Sequence, residues 1–296
     1  MEVIVITGPT ASGKTALAVE VARRLGCEII SADSRQVFRG MPVVTAVPTE
    51  AERGGVVHHL LEFLDPDQYY SASRFEEDAL RLIDDMERRG LRHCVVCGGS
   101  MMYVDALTRG MDDLPTISDD VRRSTLDFFN REGIEAVRAE LQRLDPAYMA
   151  VADPANHRRL VHALEIIRQS GRPVSELRTG AAKQRPFTVR KYAIERPREE
   201  LFARINARVD RMVADGLEDE ARRLYPMRAL NSTNTVGLKE MFAMFDGAMT
   251  RPEAIARIAK NTRVYAKKQL TWLRRDPDIT FLPPATAPDI ITTDCG

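Results

Sequence analysis

Eight residues near the start of the chain restrict its fold more than any others. Gly8-Pro9-Thr10-Ala11-Ser12-Gly13-Lys14-Thr15 match the pattern G-x-x-x-x-G-K-[ST]. Such a loop works between a buried strand and the start of a helix. There its backbone N–H groups curl around phosphate oxygens, and the helix end adds partial positive charge. The flanking residues fit. Val3 to Thr7 is an uncharged, β-branched run that reads as a buried parallel strand. Leu17, Val21 and Leu25 keep helical spacing up to a terminating Gly26. Lys14 supplies a full charge at the terminal phosphate, and the Thr15 hydroxyl is a ligand for Mg²⁺. The N-terminal run has no basic leader and passes straight into the loop, so it reads as a strand and not a signal peptide.

The alternation continues. Glu28 to Ala32 is a second strand, ending at Asp33. Arg74 to Arg89 is an amphipathic helix capped by Ser71 or Ser73 and stopped at Gly90. Cys94 to Cys97 is a third buried strand, broken by Gly98-Gly99. This predicts an α/β fold: a P-loop NTPase-like, doubly wound parallel sheet. From Ser118 to Gln169 the periodicity is helical only, with Pro115, Pro146, Pro154 and Pro173 as punctuation. Thr188 to Glu195 reads as a strand returning to the sheet. Helices follow at Pro197 to Asp215, Leu217 to Leu224, Leu238 to Phe245 and Pro252 to Arg275, and the tail after Pro277 reads as irregular. The expected domains are a catalytic core, 1–112 with 186–296, and an all-helical insertion, 113–185.

The 296 residues are 44% apolar and 29% charged, an ordinary globular composition, and no apolar run is long enough to span a bilayer. Cys94 and Cys97 form a C-x-x-C, but inside an apolar strand with no second ligand pair. They read as buried hydrophobes, which makes a reducing, cytoplasmic location the default.

Two features turn the loop away from ATP hydrolysis. The strand ending at Cys97 runs into Gly98-Gly99-Ser100, where a hydrolase would place an acid for Mg²⁺. The second strand does end in an acid. Ligands in such sheets lie beyond the carboxyl ends of the strands, so Asp33 and Ser100 should both face the loop. Asp33 is then placed as a base on an incoming nucleophile; the competing reading is a simple turn cap. The second feature is the segment Pro252 to Arg275. Arg257, Lys260, Arg263, Lys267, Lys268, Arg274 and Arg275 are offset by Glu253 alone. At helical spacing they fall within an arc of about 140°. Ile255, Ile258, Ala259, Tyr265, Ala266, Leu270 and Leu273 fall on the opposite, packed side. Lys plus Arg equals Asp plus Glu overall, so a one-signed stripe in a neutral chain points to a polyanion. Asn156 to Gln169 adds His157, Arg158, Arg159, His162 and Arg168, for the same use or as a solvated face.

Several segments together resemble the tRNA dimethylallyltransferases (tRNA isopentenyltransferases). They are GPTASGKT at Gly8 to Thr15, SADSRQVF at Ser31 to Phe38, Val57-His58-His59-Leu60 and Asn156 to Glu165. LFARINARVDRMVADGL at Leu201 to Leu217 and NTRVYAKKQLTWLRRD at Asn261 to Asp276 complete the set. The chain departs from the family pattern at Met101, Val47 and Leu238. The resemblance implies transfer of a dimethylallyl group from dimethylallyl diphosphate to N6 of adenosine 37, just 3′ of the tRNA anticodon. The loop would hold diphosphate with Mg²⁺ on Thr15, aided by Lys14 and by Arg204, which matches a family arginine. Asp33 would take the N6 proton. By the same resemblance Ser34, Arg35, Gln36 and Ser100 hold the adenine. Arg122 and the stretch Arg158, Arg159, Leu160, Val161 and His162 contact the anticodon stem-loop, as Lys267 and Lys268 do from the basic helix. The protein would act as a monomer. A small-molecule or nucleoside kinase is the main rival reading, and a nucleotide-gated RNA-binding switch the second.

Overall fold

The computed structural model describes residues 1–295. Strands β1 (Glu2–Thr7) and β4 (His93–Cys97) are buried at every residue but the first. Strands that apolar need cover on both faces, which only the middle of a sheet provides. They lie there as neighbours. With β2 (Glu28–Ser31), β3 (His58–His59), β5 (Thr188–Ile194) and β6 (Ile279–Leu282) they form a parallel sheet of order β3-β2-β4-β1-β5-β6. The pleat divides the strand residues between two cores. Val3, Val5, Ile30, Cys94 and Val96 enter one; Ile4, Ile6, Ile29, Val95 and Cys97 enter the other. Cys94 and Cys97 therefore belong to opposite faces, and burial pushes the Cys97 thiol up to about 11, consistent with inert core residues.

Helix α1 (Lys14–Leu25) runs from the phosphate loop into the second core, alongside α14 (Ala287–Asp294). Two single-turn helices, α2 (Pro42–Thr45) and α3 (Glu50–Arg53), join β2 to β3. The longer helices of the first core are α4 (Ala72–Arg88), α5 (Met101–Arg109), α10 (Arg198–Ala214), α11 (Leu217–Leu224), α12 (Leu238–Phe245) and α13 (Arg251–Leu273). The tail and one strand differ from the sequence reading. The tail expected to be irregular supplies edge strand β6 and helix α14, each too short and too near prolines to show a period. Strand β3 is two histidines long and carries no apolar signal.

The chain forms two compact units, residues 1–108 with 185 onward, and residues 109–184. The second is all helical: α6 (Asp119–Leu144), α7 (Pro146–Val151), α8 (His157–Ser170) and α9 (Val174–Leu177). Its core includes Val137, Leu141, Leu160, Leu164 and Ile166. Ser118 caps α6 by accepting from the Val121 amide. Gly133, at φ 81°, breaks α6 in two, just before the segment that reads as a separate helix from Ile134. No helix among the described residues is long and apolar enough to cross a membrane.

Candidate active site

Four neighbouring strands deliver the functional residues from their carboxyl ends. β1 leads into the phosphate loop, β2 to Asp33, β4 to Ser100 and β5 to Arg196. The loop is held from outside by its carbonyls. Arg204 Nε donates to Ala11 O at 2.8 Å, and Arg196 Nε to Ser12 O at 2.6 Å. Thr10 N donates to Gln269 Oε1 at 2.9 Å and Thr10 Oγ1 accepts from Arg208 at 3.1 Å. These bonds sustain a left-handed Ala11 at φ 64°, a conformation a non-glycine residue adopts only under constraint. Gly13 is left-handed too, and a Cβ on Gly8 would lie 2.8 Å from Ser12 Oγ. Thr10 N is taken by Gln269 and Ser12 N by Pro9 O, which leaves the amides at the start of α1 to serve as donors. Ser12 Oγ is buried and has no hydrogen-bond partner among the described residues. An unsatisfied buried hydroxyl costs about 1–3 kcal/mol, a cost that an oxygen-rich anion in the loop removes.

Asp33 and Ser100 sit together because β2 and β4 end in close contact. A Cβ on Gly98 would lie 2.1 Å from Ala32 O, so only glycine fits there. Gly99 abuts the end of the Gln269 side chain, whose Nε2 donates to Gly99 O at 3.0 Å. Gly98 is thus a packing requirement at the place where a hydrolase carries its metal-binding acid. Asp33 Oδ1 accepts from Arg35 N at 2.9 Å and Gln36 N at 3.4 Å, so the turn-cap reading is correct for that oxygen. Oδ2 makes no such bond among the described residues. Burial holds Lys14 below the ordinary lysine pKa, and the charge of Asp33 opposes that shift, which places the two groups within electrostatic reach. Ser100 Oγ accepts from Ser34 N at 2.8 Å and donates to Ser34 Oγ at 3.1 Å. The Arg35 head group bonds Asn231 O at 2.7 Å, and Gln36 Nε2 bonds Thr45 O and Ala46 O. Both build the cleft wall with the groups expected to hold a ligand.

The resulting cleft encloses about 340 Å³. Lys14, Thr15, Asp33, Ser34 and Ser100 line it, and α10 and α13 face them with Arg208, Thr262, Tyr265 and Gln269. Sequence reading missed Arg208. Burial lowers its pKa while Asp33 raises it. The available signal was its position four residues after Arg204, on the same helical face. Tyr265 was expected on the packed side of the last helix but is 42% exposed and lines the cleft. The buried side of α13 is narrower than the apolar arc: Ala254, Ile258, Ala266, Gln269 and Leu273. Among the described residues no three His, Cys, Asp or Glu side chains are grouped to hold a metal ion. A cation bound here would have the Thr15 hydroxyl, which lines the cleft, as its protein ligand.

The remaining expected residues divide by exposure. Lys267 and Lys268 are exposed on α13, and Arg158, Arg159 and His162 on α8. Leu160 and Val161 are buried, at 1% and 7%, because they occupy the inner face of α8; their side chains offer nothing to a nucleic acid. Arg168 also turns inward, to Glu140 at 2.9 Å and over Phe128. Arg122 is half-buried on α6. The departures Val47 and Leu238 are buried apolar residues outside the reacting cleft's polar wall.

The family model described as IPP transferase matches residues 36–276. The chain is 45% identical over 289 residues to tRNA dimethylallyltransferase 2 of Parabacteroides distasonis, covering 98% of this chain and 96% of that protein. Among solved structures it resembles the full-length tRNA isopentenylpyrophosphate transferase of Bacillus halodurans, with 36% identity and a TM-score of 0.73 over 99% of this chain and 95% of that one. It also resembles a eukaryotic dimethylallyltransferase acting on tRNA, with 27% identity and a TM-score of 0.82 over 99% and 75% of the two chains.

Proposed function

The chain belongs to the IPP transferase family, and from that premise we propose that it transfers a dimethylallyl group from dimethylallyl diphosphate to N6 of adenosine 37 in tRNA, releasing diphosphate. One observation carries the reading at the level of chemistry. Asp33 faces the phosphate loop across a single cleft, while the strand end suited to a metal-binding acid carries Gly98-Gly99.

The diphosphate of the donor seats in the loop against its amides, Ser12 Oγ and Lys14. Arg204, already fixed by Ala11 O, presents the rest of its guanidinium at the loop's edge. The bond from the prenyl C1 to the diphosphate oxygen breaks as the bond from C1 to N6 forms, and the electron pair leaves with the diphosphate. Lys14 and the loop stabilise the charge that develops there. The exocyclic amine becomes acidic only as it bonds carbon, so Asp33 Oδ2 accepts its proton in the transition state. Mg²⁺ bound by Thr15 and the diphosphate oxygens would add electrostatic stabilisation of the leaving group.

The adenine must leave the anticodon stack to enter the cleft. Tyr265 offers a stacking face at the cleft wall. Ser34 Oγ accepts from Ser100 and keeps its own hydrogen to donate to a ring nitrogen. Arg158, Arg159 and His162 of the helical unit, with Lys267 and Lys268, bind the stem-loop mainly through phosphates. The enzyme works as a monomer in the cytoplasm. Mass spectrometry of nucleosides from tRNA incubated with enzyme, dimethylallyl diphosphate and Mg²⁺ tests the reading. One prenylated adenosine beside the anticodon is expected; unmodified adenosine there refutes it.

A further inference from the structure

One wall of the cleft hangs on a helix that cannot hold itself. α2 is a single turn, and a helix that short has almost no stability of its own. It opens with Pro42, and the next two amides, Val43 N and Val44 N, fall where a helix offers no internal partner. Both donate to one side chain of another element. Glu220 of α11 accepts from Val43 N through Oε2 at 2.9 Å and from Val44 N through Oε1 at 2.8 Å. Glu220 lies on the buried face of α11 with Leu217, Ala221 and Leu224, and is 1% exposed. Among the described residues no cation lies within ion-pair distance of it, so the two amides are what its charge answers to. Packing alone does not call for an acid there, because a buried carboxylate is costly unless its oxygens are bonded. α12 meets α2 at the same place: a Cβ on Gly237 would lie 2.4 Å from Val44 Cγ2.

The other end of α2 holds Gln36. Gln36 Nε2 donates to Thr45 O at 3.1 Å and to Ala46 O at 2.9 Å. Carbonyl oxygens only accept, so the pair fixes which way round the amide lies. Its Oε1 accepts from Ser31 Oγ at 3.2 Å and keeps a second lone pair. Ser31, Gln36, Thr45 and Ala46 line the cleft together with Asp33. Ala46 is left-handed at φ 47° without being glycine, so this arrangement of carbonyls persists only while α2 is held in place. We propose that Glu220 is a positioning residue for base recognition: by clamping α2 it keeps the Gln36 amide oxygen toward the cleft, as an acceptor for an exocyclic amine and a barrier to a 6-oxo purine. The inference rests on the RNA-prenylating reading. N6 of adenine carries two hydrogens. Asp33 takes one, and Gln36 Oε1 accepts the other, which stays on nitrogen in the product. A purine with a carbonyl at that position sets two acceptors against each other. An amide freed from Thr45 O and Ala46 O offers either end, and the discrimination is lost.

The test measures binding of two anticodon stem-loops, one with adenosine and one with inosine at position 37. They are titrated into the full-length protein, Glu220→Gln, Gln36→Leu and the double variant, with KM for dimethylallyl diphosphate measured alongside. Gln at 220 keeps one acceptor but turns an NH2 group on the other amide. The wild type should prefer adenosine by about tenfold, and each single variant should lose most of that preference with KM for the prenyl donor unchanged. The double variant should lose no more than Gln36→Leu alone, because the two residues act in series. The readout is a ratio of two affinities on one preparation, so a smaller folded fraction in a variant does not move it. A preference retained by Glu220→Gln, or additive losses in the double variant, overturns the role of Glu220. A preference retained by Gln36→Leu, or absent from the wild type, removes the amide as discriminator and overturns it as well. A wild-type protein unable to prenylate tRNA sinks the functional reading itself, whereas an active wild type with an unaltered Glu220→Gln ratio sinks the clamp alone.

Discussion

Replacing Asp33 by Asn separates the two jobs of this side chain. Oδ1 caps the following turn through the amides of Arg35 and Gln36, at 2.9 and 3.4 Å. Asn keeps an oxygen for those bonds, so stability should stay within about 0.5 kcal/mol of wild type. It loses the basicity of Oδ2. A positioned base contributes on the order of 10²–10⁴ in rate, equivalent to about 2.7–5.4 kcal/mol of barrier. Asp33→Ala should lose the same chemistry and, in addition, about 1 kcal/mol of stability with the cap. Removing the Asp33 charge also leaves burial of Lys14 less opposed, so Lys14 should lose its proton at a lower pH. The assay is single-turnover prenyl transfer with saturating tRNA, beside tRNA affinity and thermal unfolding. Asn at this position should cut the chemical step at least a hundredfold with affinity and melting temperature unchanged. A variant retaining a tenth of the wild-type rate or more refutes the assignment of Asp33 as the base.

Three further outcomes follow from particular contacts. Gly98→Ala places a methyl 2.1 Å from Ala32 O; the ends of β2 and β4 must part, at a cost of about 1–3 kcal/mol. Urea unfolding should register that loss together with a fall in transfer rate, and wild-type values for both would contradict the packing account. Tyr265→Leu should lower kcat/KM for tRNA by about 5- to 150-fold, the equivalent of about 1–3 kcal/mol of base stacking, with KM for dimethylallyl diphosphate unmoved; an equal effect on both substrates would refute a stacking role. Arg89, bidentate at 2.7 and 2.8 Å, and His59 at 2.7 Å hold Glu28 down at about 2. A carboxyl whose folded pKa is depressed stabilises the fold above its unfolded value near 4.5, and the contribution disappears as pH falls toward 2. Because Arg89 is 46% exposed, solvent screening reduces it to about 1–2 kcal/mol. Glu28→Gln should therefore destabilise the protein by that amount at pH 7 and by little near pH 2.5, measured by denaturant unfolding; an equal loss at both values contradicts the ion-pair account.

The central sheet was legible because its signals are local. An uncharged β-branched run, a glycine-rich turn and a helical period stand side by side at Val3 to Leu25, and the same logic found β2, β4 and β5. Strand β3 and the β6–α14 tail were not legible. Two histidines and a four-residue edge strand owe their form to pairing with β2 and β5, which no local period records. At the site, the residues named by the loop motif and by strand ends were found from sequence. Those contributed by α10 and α13 were not: Arg208 and Tyr265 become cleft residues only through the packing of two helices separated by 36 residues in the chain. The same limit explains Leu160 and Val161. A basic-looking stretch on α8 includes the residues that fasten the helix to its own core, and only burial tells the two sets apart.

The most direct test of the account follows label from the prenyl donor. Full-length protein, unmodified tRNA, Mg²⁺ and dimethylallyl diphosphate labelled in the prenyl carbons are incubated together, with ATP in a parallel reaction. The account predicts label in the RNA, one diphosphate released per prenyl group transferred, and no turnover of ATP. ATP hydrolysis or phosphoryl transfer with unlabelled RNA would contradict it and return the loop at Gly8 to Thr15 to a nucleotide triphosphate.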